Sequence, residues 1–170
     1  MDHVLKAISY AARRHHGQMR KDQATPYVAH PMRVLLTVLR ELGETDPDTL
    51  AAAALHDTIE DTTTDFDDLA REFNETVARY VTRLTKDKRL PEREREDRYF
   101  EGLAGAPRAV KLCKIADTID NLRDAAAGTG GNRAKTIEKA ERLLALFGPD
   151  PAAAEALAVL RRVLRERPVE

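Results

Sequence analysis

The spacing of the apolar residues restricts the fold of this chain more than any other feature, because it is helical along nearly the whole sequence. Apolar positions recur at intervals of three and four residues, as in Val4, Ile8 and Ala11. No window of four or more residues alternates cleanly with the β-branched and aromatic residues that are typical of a strand. The sequence therefore predicts an all-α fold.

Capping residues, prolines and glycines divide this pattern into separate helices. Asp46-Pro47 predicts a helix start, and we expect that helix to run through Leu55 towards Glu60. The apolar set between Pro107 and Leu122 covers more than one helix face, which indicates a central, largely buried helix. The other predicted starts are a capping box from Thr64 to Asp67 and the caps Asn74 and Asn132. Together these signals predict a single bundle of roughly eight helices.

The sequence shows no internal repeat, linker or second composition regime, which favours one domain. We expect residues 1–147 to form the functional domain and residues 148–170 to form a C-terminal helix packed on it. That helix is predicted from about Pro151 to Arg167. The same helix could instead pack on a second copy, so a homo-oligomer is left open. The charged segment from Lys86 to Arg98 is predicted to be a solvated helix face or a loop.

Composition excludes several classes of function. With 28 Lys+Arg against 29 Asp+Glu, the formal charge is −1, so a nucleic-acid polymer is not an expected partner. No apolar run approaches the roughly 20 residues that cross a bilayer, and Met1-Asp2-His3 lacks the basic start of a signal peptide, so we expect a cytoplasmic protein. The single cysteine, Cys113, excludes an internal disulfide and a CxxC zinc site. A bound metal would therefore need His and carboxylate ligands.

The pair His56-Asp57 is the first candidate for such a site. It continues an apolar helix, where an unpaired carboxylate would cost several kcal/mol to bury and a cation would relieve that cost. Helical spacing places Glu60 one turn beyond His56, and Asp61 one turn beyond Asp57. A polar helix end that faces water is the alternative interpretation.

Asp117 is the second candidate, because it lies in the apolar helix that begins at Pro107. Lys114, Arg123 or a metal ion could neutralise it, and a buried salt bridge is the simplest alternative. Asn121 lies one turn later on the same face, whereas Asp120 and Asp124 are predicted to be surface residues.

His30, which stands directly before Pro31 at a predicted helix start, is the third candidate. A lone histidine of this kind is more often a cap or a core residue. His15 is a candidate for orienting the polar loop that follows it. Basic residues that could hold an anionic substrate include Arg20, Lys21, Arg33, Lys111 and Lys114.

Four segments then occur in an order that resembles the HD-domain hydrolases of the RelA/SpoT type, above all the small single-domain alarmone hydrolases. They are residues 15–21 (HHGQMRK), 25–31 (TPYVAHP), 55–62 (LHDTIEDT) and 114–122 (KIADTIDNL). Together the motifs span about residues 1–147, and this set is far more specific than an isolated His-Asp pair.

The resemblance implies that one divalent ion, commonly manganese, is bound by four residues, namely His30, His56, Asp57 and Asp117. Two imidazoles and two carboxylates suit a first-row divalent ion. The acids that match Glu60 and Asp61 are implied to position or activate water, and Arg20, Lys21 and Asn121 to bind the nucleotide substrate. The implied reaction removes pyrophosphate from the 3′ position of guanosine tetraphosphate or pentaphosphate (ppGpp or pppGpp), leaving GDP or GTP.

The sequence departs from the family pattern at positions that bear on substrate identity. Lys135 and Lys139 occupy a helix face where other members carry a basic residue and a tyrosine, so we expect these lysines to bind substrate phosphates. Glu92 stands where some members have lysine, and Thr118 replaces an arginine.

Two alternative functions stay open. One is hydrolysis of another nucleotide, such as an adenosine alarmone, a nucleoside monophosphate or the 2′-phosphate of NADPH. The other is nucleotide binding without turnover.

Overall fold

The computed structural model describes residues 2–128 and 130–166, and in these ranges it contains helices but no strand. Met19 and Pro26 form one isolated antiparallel bridge. The all-α prediction is therefore confirmed for the described residues. Their ten α-helices and one 3-10 turn are α1 (Asp2–Arg14), α2 (Ala29–Arg40), α3 (Pro47–Leu55), α4 (Thr58–Asp61), α5 (Phe66–Glu72), α6 (Glu75–Leu84), α7 (Glu92–Ala104), α8 (Arg108–Ala126), α9 (Arg133–Phe147), the 3-10 turn Pro151–Ala153, and α10 (Ala154–Arg165).

Helices α3 and α8 form the centre of the bundle. Helix α3 contacts α1, α2, α6 and α8, and every residue of it from Thr49 to Leu55 is buried. Helix α8 contacts α2, α3, α6, α9 and α10, and it is buried on several faces, as its apolar pattern predicts. The candidate ligands of the sequence analysis come from α2, α8 and the end of α3, so the bundle core carries the site.

Side-chain caps begin several of these helices. Asp46 accepts a hydrogen bond from the Thr49 N–H, and Asn74 and Asn132 cap α6 and α9 in the same way, so these three predictions are confirmed. The predicted capping box is displaced by one residue. Asp65, rather than Thr64, is the N-cap, and Asp68 completes the box.

The helix that begins at Asp46 does not continue to Glu60. Helix α3 ends at Leu55, and the Thr58 hydroxyl donates a hydrogen bond to the Leu55 carbonyl oxygen at 2.7 Å. Asp57 has φ −98° and ψ −3°, close to the bridge region, and α4 starts after it. The prediction of one continuous helix is therefore wrong, because this turn redirects the chain between His56 and Glu60.

The polar loop between α1 and α2 is held by its own hydrogen bonds. The Tyr27 N–H donates to the Gln18 carbonyl oxygen, and the Arg20 N–H donates to the Thr25 carbonyl oxygen, both at 2.8 Å. The Asp22 carboxylate accepts from the N–H of Thr25 at 2.9 Å, which closes the turn. From this loop Arg20 reaches Asp124 on α8, and Tyr27 reaches Asp57 and Asp61.

Helix α10 packs against α8 and α9. This contact is compatible with one domain, and the boundary between residues 147 and 148 stays a prediction. The predicted end of the last helix, Arg167, lies outside the described residues, whose final helix ends at Arg165. Among the helices of the described ranges, none combines the length and the apolar character needed to span a membrane.

The core around α9 gives a test of the fold. Phe147 is fully buried, and the Lys111 ammonium lies 5.5 Å from its ring centre. We expect Phe147→Ala to lower the free energy of unfolding by about 3–5 kcal/mol, because the truncation removes apolar burial and leaves a cavity. Urea denaturation measures this change. Leu36→Ala is the control, since the Leu36 side chain is an exposed hydrophobic and should change stability little.

Candidate metal centre and the cleft around it

Three predicted ligands converge in the core where α2, α3 and α8 meet. Each of His30, His56 and Asp117 offers one donor atom, and these atoms all lie within 4.8 Å of one another. His30 Nε2 lies 3.2 Å from Asp117 Oδ1, and His56 Nε2 lies 3.9 Å from the same oxygen. Asp57 Oδ2 adds a fourth donor, 3.1 Å from His56 Nε2 and 3.6 Å from His30 Nε2.

Both histidines turn the same nitrogen towards this cluster. His56 Nδ1 donates to the Ala53 carbonyl oxygen at 2.9 Å, and His30 Nδ1 donates to Asp120 Oδ2 at 2.6 Å. Each ring therefore has its Nε2 available as a ligand in the neutral form. His56 Nε2 is buried and, within the described residues, makes no hydrogen bond. A buried nitrogen of this kind requires a further partner.

The donor set fits a divalent cation. Bonds of about 2.1 Å to nitrogen and oxygen ligands, at tetrahedral to octahedral angles, separate neighbouring donors by about 3.0–3.4 Å. Three of the four printed separations, 3.1, 3.2 and 3.6 Å, are close to that range, and the fourth, between His56 Nε2 and Asp117 Oδ1, is longer at 3.9 Å. Two imidazoles with two carboxylates also match the preferences of first-row divalent metals. The orphaned His56 Nε2 and the mutual distances are the two structural observations that support a metal here.

Contacts within the cluster shift the pKa values of its own residues. Burial lowers the pKa of His30, but hydrogen bonds to Asp117 and Asp120 outweigh it and raise that pKa to about 9. Burial alone would raise the pKa of Asp117, yet Lys114 and the two histidines hold it well below its usual range. The Lys114 ammonium lies 2.7 Å from Asp117 Oδ2, so Lys114 is one partner of Asp117 among the alternatives that the sequence left open, whereas Arg123 pairs with Glu41.

Asp120 is not a surface residue, and the prediction that it would be is wrong. Its side chain is only 4% exposed, and it accepts from His30 and from Arg33. At about 100° per residue, positions three and seven beyond Asp117 return to within about 60° of it, so Asp120 and Asp124 share its side of α8. Asp124 is likewise largely buried and pairs with Arg20 and Arg33.

The acids Glu60 and Asp61 lie on α4, beside the ligand cluster. Glu60 Oε2 accepts from the Lys86 backbone N–H at 2.9 Å, and burial raises the pKa of Glu60. Asp61 Oδ1 accepts from Lys88 Nζ at 2.6 Å. The Tyr27 hydroxyl donates to Asp57 Oδ2 at 2.6 Å and lies 3.1 Å from Asp61 Oδ2. Tyr27 therefore lies between Asp61 and the candidate metal ligand Asp57.

A cleft of about 600 Å³ opens over this cluster, and most of the basic residues predicted to bind substrate line it. Arg20 donates to Asp124 Oδ2 at 2.6 Å and to Asn121 Oδ1 at 3.3 Å, and Asn121 Nδ2 donates to Asp117 Oδ1 at 2.6 Å. The cations along the cleft are Arg20, Lys21, Lys86, Lys114, Lys135 and Lys139. The charge needed for an anionic ligand is thus concentrated locally in a chain of near-neutral net charge.

The segment from Lys86 to Arg98 enters this cleft in part. Its last residues start α7, but the Lys86 and Glu96 side chains are only 15% and 18% exposed and form an ion pair at 2.7 Å. The prediction of a fully solvated segment is wrong for this pair, because Lys86 packs over the Tyr99 ring. Lys139 Nζ approaches Glu96 Oε1 at 3.5 Å.

Two predicted anion-binding candidates lie elsewhere. Lys111 pairs with Asp150 at 2.5 Å, and Arg33 pairs with Asp120 and Asp124; neither residue lines the cleft. His15 is buried, and its Nδ1 lies 2.8 Å from Gln18 Oε1, while Gln18 Nε2 donates to the Asp61 carbonyl oxygen. His15 therefore orders the loop, as expected.

The sequence patterns predicted no site role for three residues that contact the cluster or line the cleft, namely Tyr27, Lys86 and Asp120. Asp120 carried a usable signal, since Ile119 and Leu122 beside it give the same apolar setting that identified Asp117. Tyr27 lies within one of the family-like segments, so its position was visible but its partner was not. The position of Lys86 depends on how the loop before α7 folds back, and no local pattern encodes that path.

Comparisons with known proteins agree with this geometry. The family model described as an HD domain matches residues 7–149. Guanosine-3′,5′-bis(diphosphate) 3′-pyrophosphohydrolase MESH1 of Danio rerio is 43% identical over 122 residues, which cover 71% of this chain and 68% of that protein. The Homo sapiens protein of the same name gives the same identity and coverage. The Drosophila melanogaster one is 40% identical over 126 residues, covering 74% and 70%.

Solved structures show the same fold. A structure of a metazoan orthologue of SpoT, described as hydrolysing ppGpp and acting in starvation responses, superposes with a TM-score of 0.83 at 32% identity and covers 97% of this chain and 95% of that one. The lmo0812 protein from Listeria monocytogenes EGD-e superposes with a TM-score of 0.68 at 22% identity, covering 82% and 96%. Since the family model covers most of the chain and these relatives match over most of their length, the chain belongs to the HD domain family.

Proposed function

We propose that this protein is a metal-dependent hydrolase that removes pyrophosphate from the 3′ position of ppGpp or pppGpp, leaving GDP or GTP. The observation that carries the proposal is one cleft that holds a His/Asp donor cluster, two carboxylates beside it and a rim of basic side chains. The MESH1 relatives, whose name is that of a guanosine-3′,5′-bis(diphosphate) 3′-pyrophosphohydrolase, supply the substrate class.

Four residues would hold the cation: His30, His56, Asp57 and Asp117. We propose Mn²⁺, since mixed imidazole and carboxylate donors suit a first-row divalent ion. When bound, such an ion polarises a phosphoryl oxygen and lowers the pKa of water. The Asp120 carboxylate fixes the tautomer of His30, and the Ala53 carbonyl fixes that of His56.

Glu60 is the better placed of the two acids to accept a proton from water. Asp61 Oδ1 accepts a hydrogen bond from the Lys88 ammonium at 2.6 Å, and Asp61 Oδ2 lies 3.1 Å from the Tyr27 hydroxyl. Glu60 accepts the Lys86 N–H through Oε2, and within the described residues nothing donates to its Oε1. Burial also raises the pKa of Glu60, which favours general-base action near neutral pH. Asp61 then positions Tyr27 and the loop that carries Lys88.

The reaction that these groups support is displacement at the 3′-attached phosphorus. A water oxygen bonds to that phosphorus while the phosphorus–O3′ bond breaks, and O3′ takes up a proton to leave the 3′-hydroxyl of GDP. The Glu60 carboxylate takes the proton released by the water. Pyrophosphate is the second product, and we expect Lys21, Lys135 and Lys139, which line the cleft, to bind the phosphates of the substrate.

We expect Asn121 and Arg20, which both line the cleft, to contact the base and the ribose. Asn121 retains one N–H of its amide beyond the bond to Asp117, and Arg20 presents a guanidinium face above Tyr27, 5.5 Å from that ring centre.

A cytoplasmic location and a homo-oligomeric state stay predictions.

A panel of nucleotides tests the proposal. The Mn²⁺-loaded protein is incubated with ppGpp, its adenosine counterpart, GMP and NADPH, and the products are separated by anion-exchange chromatography. We expect kcat/KM to be highest for ppGpp, with pyrophosphate as product. Orthophosphate from NADPH or GMP as the preferred reaction would instead identify a phosphatase, and binding without any product would identify a nucleotide-binding module.

A further inference from the structure

Around the metal cluster, polar side chains form a ring of hydrogen bonds that is closed by the 3.2 Å contact between Asp117 Oδ1 and His30 Nε2, and we call it the polar ring. In order, its members are His30, Asp120, Arg33, Asp124, Arg20, Asn121 and Asp117, and the last of these returns to His30. Arg33 alone among them is neither a lining residue of the cleft nor on α8, and none of the roles proposed so far explains it.

One half of the polar ring leads from Arg33 to a metal ligand. Arg33 Nε donates to Asp120 Oδ1 at 2.6 Å, and its Nη2 donates to Asp120 Oδ2 at 2.9 Å. This two-point contact fixes the plane of the carboxylate. Asp120 Oδ2 in turn accepts from His30 Nδ1 at 2.6 Å. The orientation of the His30 ring therefore depends on the position of the Arg33 guanidinium.

The other half leads from Arg33 to the substrate side of the cleft. The same Nη2 lies 2.9 Å from both carboxylate oxygens of Asp124. Asp124 Oδ2 accepts from Arg20 Nη2 at 2.6 Å and from Arg20 Nε at 3.2 Å. Arg20 lines the cleft while it is held by these two bonds to Asp124.

The charges explain why one guanidinium is needed between these two carboxylates. Asp120 and Asp124 are one helical turn apart on α8 and largely buried, with side chains 4% and 14% exposed. Two carboxylates one turn apart on a helix repel each other, more strongly when water is excluded. Arg33 donates to both and is itself 39% exposed, so it neutralises them from the solvent side.

We propose that Arg33 is a positioning residue that sets the metal ligand His30 through Asp120 and the substrate-binding Arg20 through Asp124. The part that concerns Arg20 rests on the proposed function, whereas the part that concerns His30 requires only that the cluster binds a metal. Lysine cannot substitute fully, because a single ammonium lacks the planar fork that spans both carboxylates.

Arg33→Met tests the proposal, with Mn²⁺ binding measured by isothermal titration calorimetry in the absence of nucleotide. We expect the dissociation constant for Mn²⁺ to rise about tenfold or more, the scale typical for loss of a group that orients a metal ligand. With ppGpp as substrate we expect KM to rise as well, while kcat at saturating Mn²⁺ and substrate falls much less.

Arg123→Met is the matched control. Arg123 also joins α8 to the end of α2, through a two-point ion pair at 2.6 and 2.9 Å with Glu41, which directly follows α2, and its side chain is likewise 39% exposed. It is not part of the polar ring. We expect Arg123→Met to bind Mn²⁺ as the unaltered protein does, with thermal unfolding showing that both variants fold. Should Arg33→Met not fold, Arg33→Lys replaces it, and it should still bind Mn²⁺ more weakly than the unaltered protein.

A double-mutant cycle separates positioning from a general structural effect. If Arg33 acts through Asp120, Arg33→Met should weaken Mn²⁺ binding in the native background but change it little in an Asp120→Asn background. Unchanged Mn²⁺ affinity in Arg33→Met, or equal losses in both backgrounds, overturns the proposal. An unaltered protein that binds no Mn²⁺ overturns it together with the metal site. If the unaltered protein binds Mn²⁺ normally but does not turn over ppGpp, the result contradicts only the proposed function and the part of this proposal that concerns Arg20.

Discussion

Replacing Asp117 by Asn is expected to weaken Mn²⁺ binding by more than about 100-fold and to reduce turnover at least about 1,000-fold. The side chain keeps its shape, but the cluster loses an anionic donor, and loss of even an outer group in such sites typically costs 10- to 100-fold. The change also leaves the Lys114 ammonium, which lies 2.7 Å from Asp117, without its counter-charge in a largely buried position. Calorimetric titration with Mn²⁺ and a pyrophosphate-release assay measure the two effects.

Asp150→Asn is the control for this substitution. Asp150 makes the same kind of pair with a buried lysine, Lys111, at 2.5 Å, but it lies outside the cleft. We expect it to leave Mn²⁺ affinity and turnover near the unaltered values. Native Mn²⁺ affinity in Asp117→Asn would contradict the assignment of Asp117 as a ligand.

Replacing Glu60 by Gln is expected to lower kcat by about 10²- to 10⁴-fold while Mn²⁺ and nucleotide still bind. Removal of a general base typically has an effect of this size. The amide oxygen of glutamine can still accept the Lys86 N–H that Glu60 now accepts at 2.9 Å, so the local structure should persist. Single-turnover kinetics together with calorimetric binding separate the chemical step from affinity.

Glu44→Gln is the matched control, because Glu44 also accepts backbone N–H groups, from Thr45 and Asp46, at a position outside the cleft. Its kcat should equal that of the unaltered protein. If Glu60→Gln turns over normally while Asp61→Asn does not, the roles of the two acids are reversed. If both variants turn over normally, neither carboxylate handles the water.

The parts of this site that depend on local sequence were predictable. His56-Asp57 and Asp117 were identified because each carries a carboxylate in an apolar helix, and such groups need a partner. The sequence evidence for His30 as a ligand was weak by itself, because it was a lone histidine. The order of the family-like segments is what made it a ligand candidate. The caps Asp46, Asn74 and Asn132 depend on neighbouring backbone groups alone, so they too could be predicted.

The parts that depend on tertiary contacts were not predictable in the same way. The turn at Asp57 comes from a side chain to backbone bond of Thr58, which competes with helix continuation. The burial of Lys86 depends on the fold of the segment between α6 and α7. The Arg33–Asp120 contact joins residues on α2 and α8, far apart in the chain, and no period within either helix encodes that pairing.

The central claim is that the His/Asp cluster and Glu60 together direct water to the 3′-attached phosphorus of ppGpp. ³¹P NMR of the products formed by the Mn²⁺-loaded protein in ¹⁸O-labelled water tests it most directly. We expect equal amounts of GDP and pyrophosphate, with one ¹⁸O in the pyrophosphate and none in the GDP. Orthophosphate as the product, label in the GDP 3′-hydroxyl, or no turnover under conditions where Mn²⁺ binds would contradict it.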